Sequence, residues 1–360
     1  MISRPALPRA CAGVAVRSNH PVMKVPFLFP CLVLLFTLIP VQALPEKKNP
    51  APPATQSATS PEVVEVGLWP TVIYNLDYDS DTYYVTSYVW FVWMGDIDPT
   101  ETVEFTNNVE SWGLTKNKTY PKPIRLPDGR WYQGMRIEGR FFNSFSLKRF
   151  PLEGHTLVIK IEDNTYATDK LVYRFDRRHS GLDSGLDITG WNIASWSGTE
   201  GNHHYASNLG DETVGGDTSD YSTIDFAIRI SRPVHFFIWK MLLPVLIILL
   251  ACWTALLLNP SELASRAAMT GTALLTTVFM QQGYTSKLPE LNYLVLLDKI
   301  YVVVYILILI SLAQVVIQGA LDRKHLLDDY RMAKLIDKIS VAVQAVAFAI
   351  SLYVINATTH

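Results

Sequence analysis

After Pro233 the chain carries four segments rich in apolar residues, roughly 235–258, 262–284, 293–317 and 335–356, with short polar connections between them. A helix of about 20 residues crosses the ~30 Å of bilayer hydrocarbon, and each segment is long enough to do so. The second one, ELASRAAMTGTALLTTVFMQQGY (262–284), is unlike a lipid-facing span. Thr270, Thr272, Thr276, Thr277, Gln281 and Gln282 are interspersed with Leu274, Leu275, Val278, Phe279 and Met280. Each polar side chain costs desolvation at bilayer depth. The simplest reading is a helix with one face to water and the other to protein. Ala268, Thr272, Leu275, Phe279 and Gln282 recur at helical spacing and share a stripe, which Ser265 extends downward. One helix encloses no conduit, but several copies around a symmetry axis do.

The remaining chain reads as a soluble half. With 49% hydrophobic residues over 360 positions, the protein is too apolar to be wholly soluble and too polar to be wholly membrane-embedded. Residues 62–228 hold 25 Asp and Glu against 14 Lys and Arg, a balance of −11. Such a surface repels nucleic acid and enriches cations, and it also serves plain solubility. The three cysteines are Cys11, Cys31 and Cys252, so no disulfide is available to the soluble half.

Residues 1–43 read as a secretory signal, with basic residues 1–22, an apolar run Val25 to Val41 and a small-residue site at Ala43; Met23 is an alternative start. An uncleaved anchor is the competing reading. Residues 44–61 form a Pro-rich tether with too few apolar groups to fold. From 62 to 232 short alternating runs such as TYYVTSYVWFVWM (82–94) and HTLVIKIE (155–162) predict an antiparallel β-sandwich of immunoglobulin-like class. Residues 233–360 form a four-helix transmembrane bundle. A cleaved signal places the β domain and the C-terminus outside. The inner connection, 318–334, then carries Arg323, Lys324, Arg331 and Lys334, in agreement with the positive-inside bias.

The order of these parts resembles the pentameric ligand-gated ion channels, and the bacterial members most closely. LKRFPLEGHTLVIKI (147–161) is similar to the family's signature loop, with Phe150 and Pro151 at its tip and Asn143 and His155 near where animal members carry a disulfide. ITGWNIASW (188–196), FAIRISRP (226–233), LLPVLIILLACWTALL (242–257) and KLPELNY (287–293) match further family segments in order. The likeness covers almost all of the mature chain.

The resemblance implies a homopentamer of four further identical subunits, in a bacterial inner membrane, surrounded by lipid and conducting inorganic ions. Its pore is lined by Ser265, Ala268, Thr272, Leu275, Phe279 and Gln282, with rings of Leu275 and Phe279 as the gate, since narrow apolar throats dewet. Ser265-Arg266 reads like anion-conducting relatives, but Glu262 stands four residues before Arg266 and is placed to cancel its charge. The acidic outer domain then favours cations, with an anion-selective channel as the alternative. Coupling to the gate falls to Asp81, Phe150, Pro151, Arg229 and Pro289, with Asp81, Asp96 and Glu153 as candidate partners of Arg229. The agonist is a small molecule or a proton. Tyr205 and Tyr221 on a capping segment (197–223), facing Trp90 or Trp131 across a subunit boundary, offer an aromatic box for an amine. His203-His204 and the Asp77/Asp79/Asp81 cluster are candidate proton sensors. No cofactor, metal or nucleic acid is expected. A non-conducting periplasmic sensory receptor explains the β domain but not the polar stripe. An enzyme lacks a nucleophile with a base, a metal-spaced His/Cys set or a phosphate loop.

Overall fold

The computed structural model describes residues 60–208, 210, 218–323 and 330–358. The expected signal, nearly all of the tether and the tip of the capping segment lie outside these. The β domain opens with β1 (Glu62–Asp77) and β2 (Thr82–Trp93), followed by a short helix α1 (Pro99–Thr102) and three short strands, β3 (Val103–Phe105), β4 (Thr115–Lys118) and β5 (Ile124–Arg125). Then come β6 (Trp131–Phe142), β7 (Gly154–Asp163), β8 (Leu171–Phe175), β9 (Asn192–Tyr205) and β10 (Ser219–Ser231). One sheet runs β4-β6-β2-β1-β8 with β5 beside β6, and the other runs β3-β7-β10-β9.

Period-two alternation builds the core between them. Val64, Val66 and Leu68 on β1, Phe91 on β2 and Met135 and Ile137 on β6 face Leu157, Ile159 and Ile161 on β7 and Ile224, Phe226, Ile228 and Ile230 on β10, all buried. Each such side chain contributes about 1.5–3 kcal/mol of burial free energy. The sandwich departs from the all-antiparallel expectation at one pair, because β1 and β8 run parallel from Glu62↔Leu171 to Val66↔Phe175. Pro70 sits inside β1 at a register shift, where its missing N–H breaks no regular ladder. Gly67 is required by close approach, since a Cβ there lies 2.1 Å from the Trp90 ring.

The helical half begins with α2 (Val234–Phe237), a π turn (Ile238–Leu242) and α3 (Leu243–Leu257). The wide turn precedes Pro244, which cannot donate to the helix ladder. Next come α4 (Leu263–Thr285), α5 (Leu296–Arg323) and α6 (Tyr330–Thr358). Residues 318–323 therefore extend α5 and 330–334 begin α6, so the inner connection is shorter than the loop expected from sequence. Among the described residues three stretches are long and apolar enough to cross a membrane: Val234–Leu257, Leu296–Asp322 and Arg331–Thr358. Gln344 on α6 joins the bundle by accepting from Trp253 Nε1 on α3 (3.0 Å) and Ser311 Oγ on α5 (3.1 Å).

Candidate functional site

The α4 helix has two unlike faces. Arg266, Thr270, Ala273, Thr277 and Tyr284 are buried against the bundle. Ser265, Ala268, Thr272, Leu275, Phe279 and Gln282 all lie on the opposite side and are exposed in the single chain, Leu275 at 55% and Phe279 at 66%. The threonines do not wait for water. Thr272 Oγ1 donates to Ala268 O, Thr276 Oγ1 to Thr272 O and Thr277 Oγ1 to Ala273 O, each at 2.8 Å. With its proton committed to the backbone, each exposed hydroxyl of Thr272 and Thr276 presents outward only an acceptor oxygen. The expected Glu262–Arg266 ion pair is absent. Arg266 shares only a backbone hydrogen bond with Glu262, donating to its carbonyl at 3.1 Å, while the Glu262 side chain is exposed.

Where the β domain meets the helices, the chain converges on one arginine. It is Arg232, three residues after the one expected. Arg232 Nε donates to Glu153 Oε1 at 2.5 Å and Nη2 to Tyr78 Oη at 2.9 Å, and the guanidinium stacks 4.6 Å from the Trp191 ring. Glu153 is 2% exposed, so this is a desolvated, charge-assisted pair. Arg229 points outward from β10 and makes no ion pair among the described residues. The cause is strand alternation, since Ile228 and Ile230 take the inward positions on either side of it. Asp96 follows the end of β2 paired with the start of β1, at the far end of the sheet from Asp81. Asp81 accepts instead from Phe145 N at 3.1 Å, tying the β1–β2 turn to the segment before the Phe150-Pro151 turn.

That turn is seated on the helices. Lys148 O and Phe150 O accept from Leu296 N (3.0 Å) and Leu297 N (3.2 Å) at the start of α5, and Tyr293 Oη accepts from Leu147 N at 3.3 Å. The Phe150 ring stacks on Tyr284 at the end of α4, with centroids 6.4 Å apart, and Tyr284 in turn bonds Asp298. Pro151 is buried, and Pro289 is half-buried within the connection from α4 to α5.

Beside this network His155 is buried among Phe145, Trp191 and Tyr78, and its Nε2 finds no hydrogen-bond partner among the described residues. Burial, reinforced by nearby Arg232, lowers its pKa to about 4. The folded imidazole thus stays neutral while the unfolded one takes up a proton below about pH 6.5, so stability is lost as pH falls between about 6.5 and 4. His155→Gln should remove roughly 3 kcal/mol of that pH dependence, read as a flatter melting-temperature profile across this window. Asp77 belongs to the acidic cluster named above as a candidate proton sensor. The Ser80 hydroxyl, aided by backbone N–H groups and Arg140, holds the Asp77 carboxyl below its usual range.

A second polar cluster lies under the β9–β10 hairpin. Glu162 on β7 is 4% exposed, accepts from Tyr205 Oη at 3.0 Å and pairs with His203 Nδ1 at 2.9 Å. The His203 and Tyr205 rings lie 4.1 Å apart, and Tyr221 packs edge-on against Tyr205 at 5.7 Å. Burial and the adjacent Glu162 carboxylate push the Tyr205 phenol up to about 12. Sequence reasoning passed over Glu162 because alternation along β7 points it outward; the hairpin folded over it supplies its burial. Trp90 and Trp131 lie on the other sheet, Trp90 donating to Asp176 Oδ2 at 3.0 Å and Trp131 carrying the Arg125 guanidinium 4.5 Å from its ring. A single chain therefore brings the two tyrosines together but not the tryptophans. His204 pairs with Asp220 at 2.7 Å, and no group of three or more metal-binding side chains occurs among the described residues.

No family model matches the sequence. Individual relatives do. The chain is 22% identical over 285 residues to the proton-gated ion channel of Gloeobacter violaceus, covering 75% of this chain and 76% of that one. It is 23% identical over 189 residues to a gamma-aminobutyric acid receptor subunit beta of Caenorhabditis elegans, covering 52% of this chain and 32% of the relative. It is 24% identical over 214 residues to gamma-aminobutyric acid receptor subunit beta-4 of Gallus gallus, covering 58% and 41%. The match thus spans well under half the length of these receptor subunits and three quarters of the proton-gated channel.

Proposed function

We propose, from its likeness to pentameric ligand-gated ion channels, that five identical copies of this chain enclose a cation-conducting pore lined by α4 in a bacterial inner membrane. The observation that carries the proposal is the pair of opposed α4 faces. The buried face packs on its own bundle, and the other leaves Leu275 and Phe279 bare on a helix too polar for lipid. Around a fivefold axis that bare face meets water, α4 becomes the fourth membrane crossing, and Leu275 and Phe279 form apolar rings that gate by dewetting. The acceptor oxygens of Thr272 and Thr276, exposed Glu262 and the acidic outer domain all favour cations. Single cysteines test the lining. Thr272→Cys and Leu275→Cys should react with a water-soluble thiol reagent that blocks current, and Ala273→Cys and Thr277→Cys should not. Equal reactivity on both faces would sink the assignment.

The agonist site is the Glu162 cluster under the β9–β10 hairpin, completed across a subunit boundary by Trp90 or Trp131. A buried carboxylate beside Tyr205 and Tyr221 suits a small organic ammonium. Removing a charged hydrogen-bond partner costs about 1.5–3 kcal/mol. Glu162→Gln should therefore weaken activation by an amine roughly 10- to 100-fold, read as a shift in the half-maximal concentration. An unmoved dose response places the agonist elsewhere.

A further inference from the structure

The notable residue outside the pore stripe is Asp337, on the helix that is most open to the surroundings. On α6, Val343, Val346, Ile350 and Tyr353 are exposed, yet Asp337 is 1% exposed. It faces Arg266, which follows Ser265 directly on α4 and is itself fully buried. All three guanidinium nitrogens are engaged. Nε donates to Ala255 O at 3.2 Å, Nη1 to Gln318 Oε1 at 2.7 Å, and Nη2 to Leu256 O at 3.4 Å and Asp337 Oδ2 at 2.9 Å. The other Asp337 oxygen, Oδ1, accepts from Gln314 Nε2 at 2.5 Å and Gln318 Nε2 at 2.8 Å. Among the described residues Asp337 is the only carboxylate in an ion pair with Arg266.

We propose that Asp337 is a selectivity-determining residue that acts through Arg266, holding one positive charge per subunit out of the conduit wall. The proposal rests on the reading of α4 as the pore lining. A guanidinium left buried without its counter-charge is strongly unfavourable. Its long stem lets the head move to the nearest water. On α4 that water lies on the face carrying Ser265 and Ala268, so five released arginines place a positive ring at the inner end of the pore. The neighbouring amides and carbonyls are all neutral, which leaves Asp337 as the group that cancels the charge. The sign of the permeant ion is then set partly by a side chain that never touches it.

The test uses the full-length protein in liposomes under a salt gradient. The wild type comes first, since a folded wild type that passes no current defeats the pore reading itself. Given current, Asp337→Asn should lower the cation-to-anion permeability ratio roughly tenfold or more. Asp337→Glu should largely preserve the wild-type value. The double variant Asp337→Asn/Arg266→Gln should restore that value, which a purely structural ion pair gives no reason to expect. Two outcomes overturn the proposal: a conducting Asp337→Asn channel with the wild-type ratio, or a conducting double variant that keeps the lowered ratio. If Asp337→Asn fails to assemble, the double variant decides, because it leaves no unpaired buried charge: a ratio away from the wild-type value overturns the proposal.

Discussion

Arg232→Gln should abolish evoked current in protein that still folds and assembles. Arg232 stands where β10 passes into α2, and its partner Glu153 belongs to the turn whose backbone holds Leu296 and Leu297. One ion pair thus joins the two routes by which the β domain reaches the helices. Breaking a buried pair by removing one member costs about 3–5 kcal/mol, equivalent to a factor of roughly 10² to 10³ in an equilibrium. The loss falls on coupling because both partners sit at the junction and neither belongs to the sandwich core. Glu153→Gln should do the same, and the double variant should lose far less than the two single losses combined. Arg229→Gln, exposed three residues away, should gate like the wild type. Current evoked by acid or by small amines, measured beside size-exclusion profiles, separates these outcomes. A normally gating Arg232→Gln would remove the network from the account.

Leu275→Ala should have the second large effect, in the opposite direction. In the proposed pentamer five Leu275 side chains form a ring just below Phe279, and the closed pore is then stable to the extent that these surfaces exclude water from the throat. Shortening each one widens the ring and removes about 1.5–3 kcal/mol of apolar character per subunit. Openings without agonist should become frequent, and the half-maximal agonist concentration should fall at least about tenfold. Leu274→Ala, on the half-buried flank of the same helix, should not reproduce this gain. An unaltered dose response in Leu275→Ala would move the gate away from this ring.

Much of the architecture is legible in the sequence, because helix length and strand alternation are local signals. The four helices and the long strands β2, β6 and β7 follow from them. Alternation also held the information that separates Arg229 from Arg232. With Ile228 and Ile230 inward, Arg229 must point out, and Arg232 is the cation beyond the strand end. What local reasoning does not reach is pairing between distant elements. The neighbour rule on a helix offers Glu262 to Arg266, whereas the fold supplies Asp337 from α6. Glu162 reads as a surface residue until the β9–β10 hairpin closes over it, and the parallel β1–β8 pair carries no local mark. The polar character of α4 also changes meaning. Its threonine protons are used by the helix itself, so what faces outward is oxygen rather than a general appetite for water.

The most direct test of the central claim is ionic current through the purified protein reconstituted in liposomes, recorded across a salt gradient while pH and small amines are varied. The account predicts an evoked current whose reversal potential lies on the cation side and which Leu275→Ala sustains without any agonist. Folded, correctly inserted protein that passes no current under any of these conditions, with Leu275→Ala equally silent, would contradict it.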